Sequence, residues 1–198
     1  MGSPAEPRTS NICRDAAQRA ASQTGVPFAV LWAIAQTETG RNKDGDVTPW
    51  PWTLNIEGQG YWLDTRAAAL TQAQQSVARN VHSFDLGCFQ INYRWHGQHF
   101  ASVDQMLDPD AGASYAARFL QQLFDETGSW SQAAGAYHSR TPILAAQYRQ
   151  RFDQFYAAAA DTNILPSILA SRENTFPLLQ PGSGHTAMGS LVPVLNGR

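Results

Sequence analysis

The chain has 198 residues, of which 43% are hydrophobic and 15% are charged, with a net charge of −2 and a pI of about 6.2. This length suffices for one domain with a hydrophobic core and hardly for two. Because the sequence has no basic stripe or charge run, we expect neither nucleic acid nor an anionic membrane surface as a partner. The longest apolar run, residues 28–35, is far shorter than the roughly 18 residues that a membrane span needs.

The chain begins with a predicted leader and a first helix. Residues 1–10 are rich in Pro and Ser and are interpreted as a leader, whose residues 1–3 are a vector remnant in place of a signal peptide. Ser10 or Asn11 is a suitable N-cap for the first helix. Gly25 suits the position just after the end of that helix.

The next segment combines a buried helix with a long loop. Pro27 opens a second predicted helix, which is apolar on nearly all sides and should therefore be buried. Residues 40–63 carry Gly, Pro, Asn and Asp at turn-like positions and are predicted to form a loop. Asp64 or Thr65 caps a third helix, whereas residues 83–97 are too short and glycine-broken for a long one.

The rest of the chain is predicted to be helical up to about residue 160. Helical patterns cover residues 108–128, 129–139 and 141–160. Strands are expected to be short and few, so the predicted fold is mostly α, with the domain at residues 11–160. Residues 161–198 lose the helical period, contain several Pro and Gly, and are predicted to be a tail that acts as a linker or orders against a partner.

One carboxylate stands where the buried second helix ends. Glu38 shares its helical face with apolar residues, namely Leu31, Ile34 and Ala35. The partial negative charge of a helix C-terminus and desolvation both raise the pKa of such a group. A carboxylic acid that is still protonated near neutral pH can donate a proton to a leaving oxygen. The alternative is a solvated glutamate at a frayed helix end, with Arg41 as its partner.

Two later segments carry polar groups in apolar surroundings. Gln90 and Asn92 are amides two residues apart, suited to hydrogen-bonding the hydroxyl and acetamido groups of a sugar, or else part of a polar loop beside a bulge. Tyr137 lies three residues after Ala134, on a face of small residues. A core tyrosine with a satisfied hydroxyl is the commoner situation.

The loop at residues 40–63 is rich in aromatic side chains, namely Trp50, Trp52, Tyr61 and Trp62. These rings either form a wall against which a glycan packs or cover the core beneath the loop. His96 and His99 are three residues apart, but no Glu or Cys stands at helical spacing beside them, so we expect no metal site.

Two cysteines, Cys13 and Cys88, are present. They are either free thiols in a cytosolic core or one disulfide, which would indicate an oxidising compartment. Spacing alone does not choose between these alternatives.

Three segments, taken in order, resemble the soluble lytic transglycosylase family and its goose-type lysozyme relatives. Glu38-Thr39-Gly40 is similar to the family's E-S-G segment, residues 87–92 (GCFQIN) to its G-L-M-Q-I segment, and residues 136–140 (AYHSR) to its A-Y-N-A-G segment. The resemblance covers residues 11–160 and implies a lysozyme-like, mostly α domain with Glu38 as its catalytic residue. The expected substrate-binding residues are Gln90, Asn92, Tyr137, His138, Trp52 and Tyr61.

Three segments, PWPWTLN, YHS and GCFQIN, together resemble the short transglycosylases of Gram-negative bacteria that are associated with flagellar or secretion machinery. This resemblance implies a Cys13–Cys88 disulfide and a periplasmic location. It also shows a departure, because His138 stands where Asn is usual and Ser139-Arg140 replaces Ala-Gly.

The family resemblance implies a reaction that needs one carboxylate and no cofactor. Glu38 would protonate the oxygen between N-acetylmuramic acid and N-acetylglucosamine, then take a proton from the muramyl C6 hydroxyl to leave a 1,6-anhydro product. We expect a monomer that acts on peptidoglycan strands, opens the wall for an envelope machine and meets a flagellar or secretion-system protein through its tail. The alternatives are lysozyme-like hydrolysis, with Asp85 as the nearest second acid, and a non-catalytic module that binds peptidoglycan or docks onto such a machine.

Overall fold

The structure of the chain is a computed structural model that describes residues 9–43 and 46–170. The helices are α1 (Thr9–Thr24), α2 (Phe28–Thr39), α3 (Arg66–Ala78), α4 (Tyr93–His96), α5 (Val103–Met106), α6 (Pro109–Thr127), α7 (Trp130–His138) and α8 (Pro142–Ala170), with a 3-10 helix at Gly97–His99. The strands are β1 (Gly40–Lys43), β2 (Asp46–Pro49), β3 (Thr53–Ile56), β4 (Gln59–Trp62), β5 (Phe84–Leu86) and β6 (Ile91–Asn92). The predicted mostly α class with short strands is confirmed.

The core forms where α1 and α6 pack against each other and against α2. Leu31 and Ile34 of α2 are fully buried, and burying each such side chain contributes about 1.5–3 kcal/mol. Ala16, Ala17 and Ala20 of α1 are buried as well, and their small side chains let the helices approach closely. The prediction that α2 is a buried helix is therefore confirmed, and the end of α2 is held firmly inside the molecule.

The predicted loop at residues 40–63 is wrong in part, because the segment contains four short strands. β1 pairs with β2, and β3 pairs with β4, both antiparallel. The β3–β4 connection is Glu57-Gly58, and both residues have positive φ, at 51° and 90°. A two-residue turn of this kind matches the twist of antiparallel strands. The sequence predicted the turn-forming residues of this segment but not the pairing of the short strands between them.

A four-stranded antiparallel sheet, in the order β4-β3-β5-β6, places polar residues side by side. Asn55 of β3 stands opposite Gly60 on one side and Asp85 on the other. Asp85 in turn stands opposite Asn92 of β6. Directly opposed residues point to the same face of a sheet. This register therefore builds one polar row from Asn55, Asp85 and Asn92 across β3, β5 and β6, and it ends at Gly60 of β4.

The last helix extends past the predicted end of the domain. α8 continues to Ala170, ten residues past the predicted end of the domain at residue 160. The compact unit that contains the site ends at Asn163. Residues 1–8 of the predicted leader and residues 171–198 of the predicted tail lie outside the described residues. Within the described part of the chain, none of the helices combines the length and the apolar character that crossing a membrane requires.

A disulfide joins α1 to the turn that follows β5. Cys13 and Cys88 are bonded across a sequence separation of 75 residues. The same turn is fastened to the end of α2, because the Thr39 hydroxyl donates to the Cys88 carbonyl oxygen at 3.3 Å. The covalent bond therefore ties the sheet to the helical core next to Glu38.

We predict that reducing this disulfide lowers the free energy of unfolding by about 2–5 kcal/mol, because reduction restores the conformational freedom of a long loop in the unfolded chain. Urea unfolding of the oxidised and the reduced protein measures the difference. The Cys13→Ala/Cys88→Ala variant is the control, since reductant should leave its unfolding curve unchanged. Superimposable curves for oxidised and reduced wild-type protein would contradict the prediction.

Candidate active site

A cleft of about 500 Å³ opens beside the four-stranded sheet, and Glu38 and the polar row both line it. Its walls come from the sheet, from α4 and α6, and from the end of α7. Of the residues predicted to be catalytic or substrate-binding, the cleft is lined by Glu38, Gln90, Asn92, Tyr137 and His138. The cleft thus gathers side chains that lie up to 100 residues apart in the sequence.

Glu38 sits in the last turn of α2, where the chain must turn sharply. A Cβ at position 40 would collide with the Gln36 carbonyl oxygen and the Val47 side chain. Glycine at this position therefore lets β2 pack against the helix end. The Tyr148 hydroxyl, from α8, donates to Glu38 Oε1 at 2.7 Å. This bond fixes one carboxyl oxygen, which leaves Oε2 as the oxygen that can present a proton to a substrate.

Burial raises the pKa of Glu38 to about 8. The hydrogen bond from Tyr148 opposes this rise, the negative charge of Asp85 adds to it, and the positive charge of Arg151 opposes it. Burial also raises the pKa of the Tyr148 hydroxyl well above its ordinary value, so Tyr148 stays a neutral donor. Glu38 is therefore mostly protonated at neutral pH, as a general acid must be.

Asp85 is the second carboxyl of the cleft, and two amides hold it. Asn92 Nδ2 donates to Oδ1 at 2.7 Å, and Asn55 Nδ2 donates to Oδ2 at 3.3 Å. Burial raises the pKa of Asp85, while the bond from Asn92, the charge of His138 and the bond from Asn55 lower it. Hydrogen bonds to both oxygens favour the charged form. The two carboxyl groups thus have different surroundings, one with a hydroxyl donor and one between amides.

The two amides predicted to bind sugar have partners within the protein. Gln90 has a positive φ of 44°, and its Nε2 donates to the carbonyl oxygens of Thr53 and Gly87 at 3.2 and 3.0 Å. Asn92 also caps α4, because its Oδ1 accepts from the Trp95 backbone N–H at 3.2 Å. Both residues line the cleft, and both also hold the backbone that shapes it.

Tyr137 and His138 come from the end of α7. The Tyr137 hydroxyl donates to the Phe89 carbonyl oxygen at 2.8 Å, which ties α7 to the turn after β5. His138 lies at the surface of the cleft, and its ring stacks on Tyr148 with centroids 4.6 Å apart and planes 10° apart. Arg140, part of the departure from the family pattern, pairs with Glu126 of α6 at 2.8 Å.

The aromatic residues of the segment at 40–63 fall into two groups, those that pack in or against the core and one that lines the cleft. Trp52 is only 9% exposed and belongs to the core, and Tyr61 packs against the core; neither lines the cleft. Trp62 lines it and is 49% exposed. Trp95 of α4, which no sequence pattern marked, is 65% exposed and also lines the cleft.

Tyr148 was also missed. It lies 110 residues from Glu38 in the sequence, in a helix with several aromatic residues, and no local motif marks it. Only the packing of α8 against the end of α2 identifies it.

The histidines of residues 96–99 lie in an aromatic cluster. His96 Nδ1 and the Tyr115 hydroxyl are 2.7 Å apart, and the His99 ring lies 5.4 Å from that of Tyr115. Among the residues that the structure describes, no group of three or more His, Cys, Asp and Glu side chains is arranged to hold a metal ion.

Comparison with known proteins places this site in a family. The family model of the Transglycosylase SLT domain matches residues 15–157, which is well over half of the chain and includes every site residue named above. Neither a curated protein nor a solved structure gave a significant match. The chain therefore belongs to the Transglycosylase SLT domain family of lysozyme-like proteins, and it is an enzyme of the peptidoglycan lytic transglycosylase class.

Proposed function

We propose that the protein cleaves the β-1,4 bond between N-acetylmuramic acid and N-acetylglucosamine in peptidoglycan and releases a 1,6-anhydro-muramyl end. The observation that carries the proposal is the state of Glu38, a carboxyl in the cleft with a pKa of about 8 and a hydroxyl donor on one oxygen. Such a group is a proton donor at neutral pH.

In the first step Glu38 gives its proton to the glycosidic oxygen. The bond from that oxygen to the muramyl C1 breaks, N-acetylglucosamine leaves with a new hydroxyl, and an oxocarbenium-like centre forms at C1. Glu38 is now a carboxylate whose Oε1 accepts the hydrogen bond from Tyr148. That bond is stronger to the charged form, so Tyr148 stabilises the state that follows proton transfer.

In the second step Glu38 acts as a base. It takes the proton of the muramyl C6 hydroxyl, and the C6 oxygen closes on C1 to give the 1,6-anhydro ring. Glu38 regains its proton, and no water enters the product. One residue thus serves first as acid and then as base. General acid–base catalysis by a positioned side chain accelerates a reaction by typically about 10²–10⁴-fold.

Hydrolysis is a second candidate because Asp85 lines the same cleft as Glu38. A carboxylate there could stabilise the C1 cation or activate water, as the second acid of a glycosidase does. The amides of Asn55 and Asn92 favour its charged form. In the transglycosylase reaction we assign Asp85 the narrower role of an electrostatic neighbour to the developing positive charge.

The cellular role in the proposal is local opening of the wall for a flagellum or a secretion system. It is supported by the resemblance of the chain to short transglycosylases of that kind and by the Cys13–Cys88 disulfide, which fits an oxidising compartment such as the periplasm. In this proposal the protein is a monomer, and its tail, residues 161–198, recruits it to a protein of that machine.

We predict that Glu38→Gln lowers the rate of peptidoglycan cleavage on the order of 10²-fold or more. The amide keeps the shape of the side chain and an acceptor for Tyr148, but it cannot donate and retrieve a proton. Release of 1,6-anhydro-muropeptides from purified peptidoglycan, followed by mass spectrometry, measures the rate. Glu126→Gln, at an exposed glutamate of α6, is the matched control and should keep wild-type activity. A Glu38→Gln variant that retains more than a tenth of the rate would exclude Glu38 as the acid.

We predict that cleavage declines as the pH rises through about 8, because the acid must be protonated and burial raises the pKa of Glu38 to about 8. An ordinary glutamate, with a pKa near 4.3, would instead place the decline at about pH 4–5. The pH profile of kcat/KM on soluble peptidoglycan fragments gives the value for the free enzyme. A profile that is already declining at pH 5 would contradict the account of Glu38.

We predict that deleting residues 171–198 leaves cleavage of purified peptidoglycan near the wild-type rate and weakens recruitment of the protein in cells. The deleted segment follows the last described residue of α8, and the described residues that line the cleft all fall between Glu38 and His138. Turnover in the purified assay and co-purification with flagellar or secretion proteins are the two measurements. Loss of turnover would show that the segment is part of the catalytic domain.

A further inference from the structure

One residue that lines the cleft differs from the family pattern and contacts Tyr148, the hydrogen-bond donor to Glu38. His138 stands where Asn is usual in the family's A-Y-N-A-G segment. It is the last residue of α7, lines the cleft and stacks face to face on Tyr148. Tyr148 is the residue whose hydroxyl donates to Glu38.

These contacts form a continuous series from α7 to the carboxyl group. The ring of His138 covers one face of Tyr148 at a centroid distance of 4.6 Å, and the Tyr148 hydroxyl lies 2.7 Å from Glu38 Oε1. A ring held between a stacked neighbour and its own helix has fewer orientations available, and its hydroxyl is aimed accordingly. We propose that His138 is a positioning residue, which holds the Tyr148 ring so that its hydroxyl stays on Glu38. This inference rests on the proposed role of Glu38 as the acid.

The close approach of α7 and α8 supports this arrangement. A Cβ at Gly135, one turn before His138, would lie 2.9 Å from the Arg149 side chain and 3.1 Å from the Ala145 carbonyl oxygen. Glycine there lets the two helices come together, which brings His138 onto Tyr148. The family's Asn could hydrogen-bond a sugar from this position, but an amide offers no aromatic face to a tyrosine ring.

Several charged or titratable groups lie near His138, Tyr148 and Glu38 and contribute to the pH dependence of the Glu38 carboxyl. Besides burial, the charge of Asp85 of β5 raises the pKa of Glu38 and the charge of Arg151 of α8 lowers it. Burial and the charge of Glu38 both raise the pKa of Tyr137 of α7. Burial lowers the pKa of His138, and the negative charge of Asp85 opposes that change. Because the hydrogen bond from Tyr148 lowers the pKa of Glu38, loosening that bond should raise the pKa further.

Three substitutions at one position test the proposal: His138→Ala, His138→Asn and His138→Phe. Ala removes the ring, Asn restores the family's polar group without a ring, and Phe restores a ring without a polar group. The readouts are kcat and KM on peptidoglycan fragments, and the pKa of Glu38 from carboxyl carbon NMR in substrate-free protein. His82→Ala is the control, since His82 is an exposed histidine that packs edge-on against Tyr93 outside the cleft.

We expect Ala and Asn to lower kcat by about tenfold with little change in KM, the rate equivalent of one lost aromatic contact. In both variants the pKa of Glu38 should rise. Phe should lie closer to wild type than Ala does in both readouts. If Asn rescues activity and Phe does not, or if the pKa of Glu38 is the same in the Ala variant and the wild type, His138 does not position Tyr148.

The two readouts separate this inference from the proposed function. The NMR titration needs no turnover, so a protein that fails to cleave peptidoglycan would overturn the proposed function while the role of His138 is still measured. If the Ala variant does not fold, as judged by circular dichroism, the comparison of Phe with Asn decides the question alone.

Discussion

The hydrogen bond from the Tyr148 hydroxyl to Glu38 is the contact on which the proposed chemistry of this protein depends. It joins α8 to the end of α2, so it exists only when helices far apart in the sequence have packed. Burial at the same point raises the pKa of Glu38 to about 8. A buried carboxyl that resists ionisation lowers the free energy of unfolding at pH values above its ordinary pKa. In the proposed mechanism the same burial keeps Glu38 protonated, and so able to act as an acid, at neutral pH.

The turn formed by residues 87–90 connects the sheet that lines the cleft to the helices around Glu38. A disulfide ties it to α1, the Thr39 hydroxyl ties it to α2, and the Tyr137 hydroxyl ties it to α7. The Gln90 side chain closes it from within, through two backbone carbonyl oxygens. Because the turn joins β5 to β6, these contacts also fix Asp85 and Asn92 at the cleft that Glu38 lines.

The sequence was informative where function depends on a local pattern. An apolar helix that ends in a glutamate left Glu38 as one of two alternatives, and the resemblance of Glu38-Thr39-Gly40 and GCFQIN to the family's segments selected Glu38 and the two amides. The sequence was uninformative where function depends on packing between distant elements. Trp52 and Tyr61 looked like cleft residues because aromatic side chains in a loop fit either a wall or a core cover, and burial distinguishes the two. Tyr148 and Trp95 could not be selected from a local pattern. Only the packing of α8 brings the Tyr148 hydroxyl onto Glu38, and only the placement of α4 brings Trp95 to the cleft.

The most direct test of the central claim is digestion of purified peptidoglycan in water enriched in heavy oxygen, with mass analysis of the new muramyl ends. If Glu38 acts as acid and then as base for the C6 hydroxyl, the ends are one water lighter than hydrolysis products and carry no oxygen from the solvent. Muramyl ends that carry one heavy oxygen would show that water attacks C1. That result would contradict the account of Glu38 working without a second catalytic carboxylate and would favour hydrolysis with Asp85.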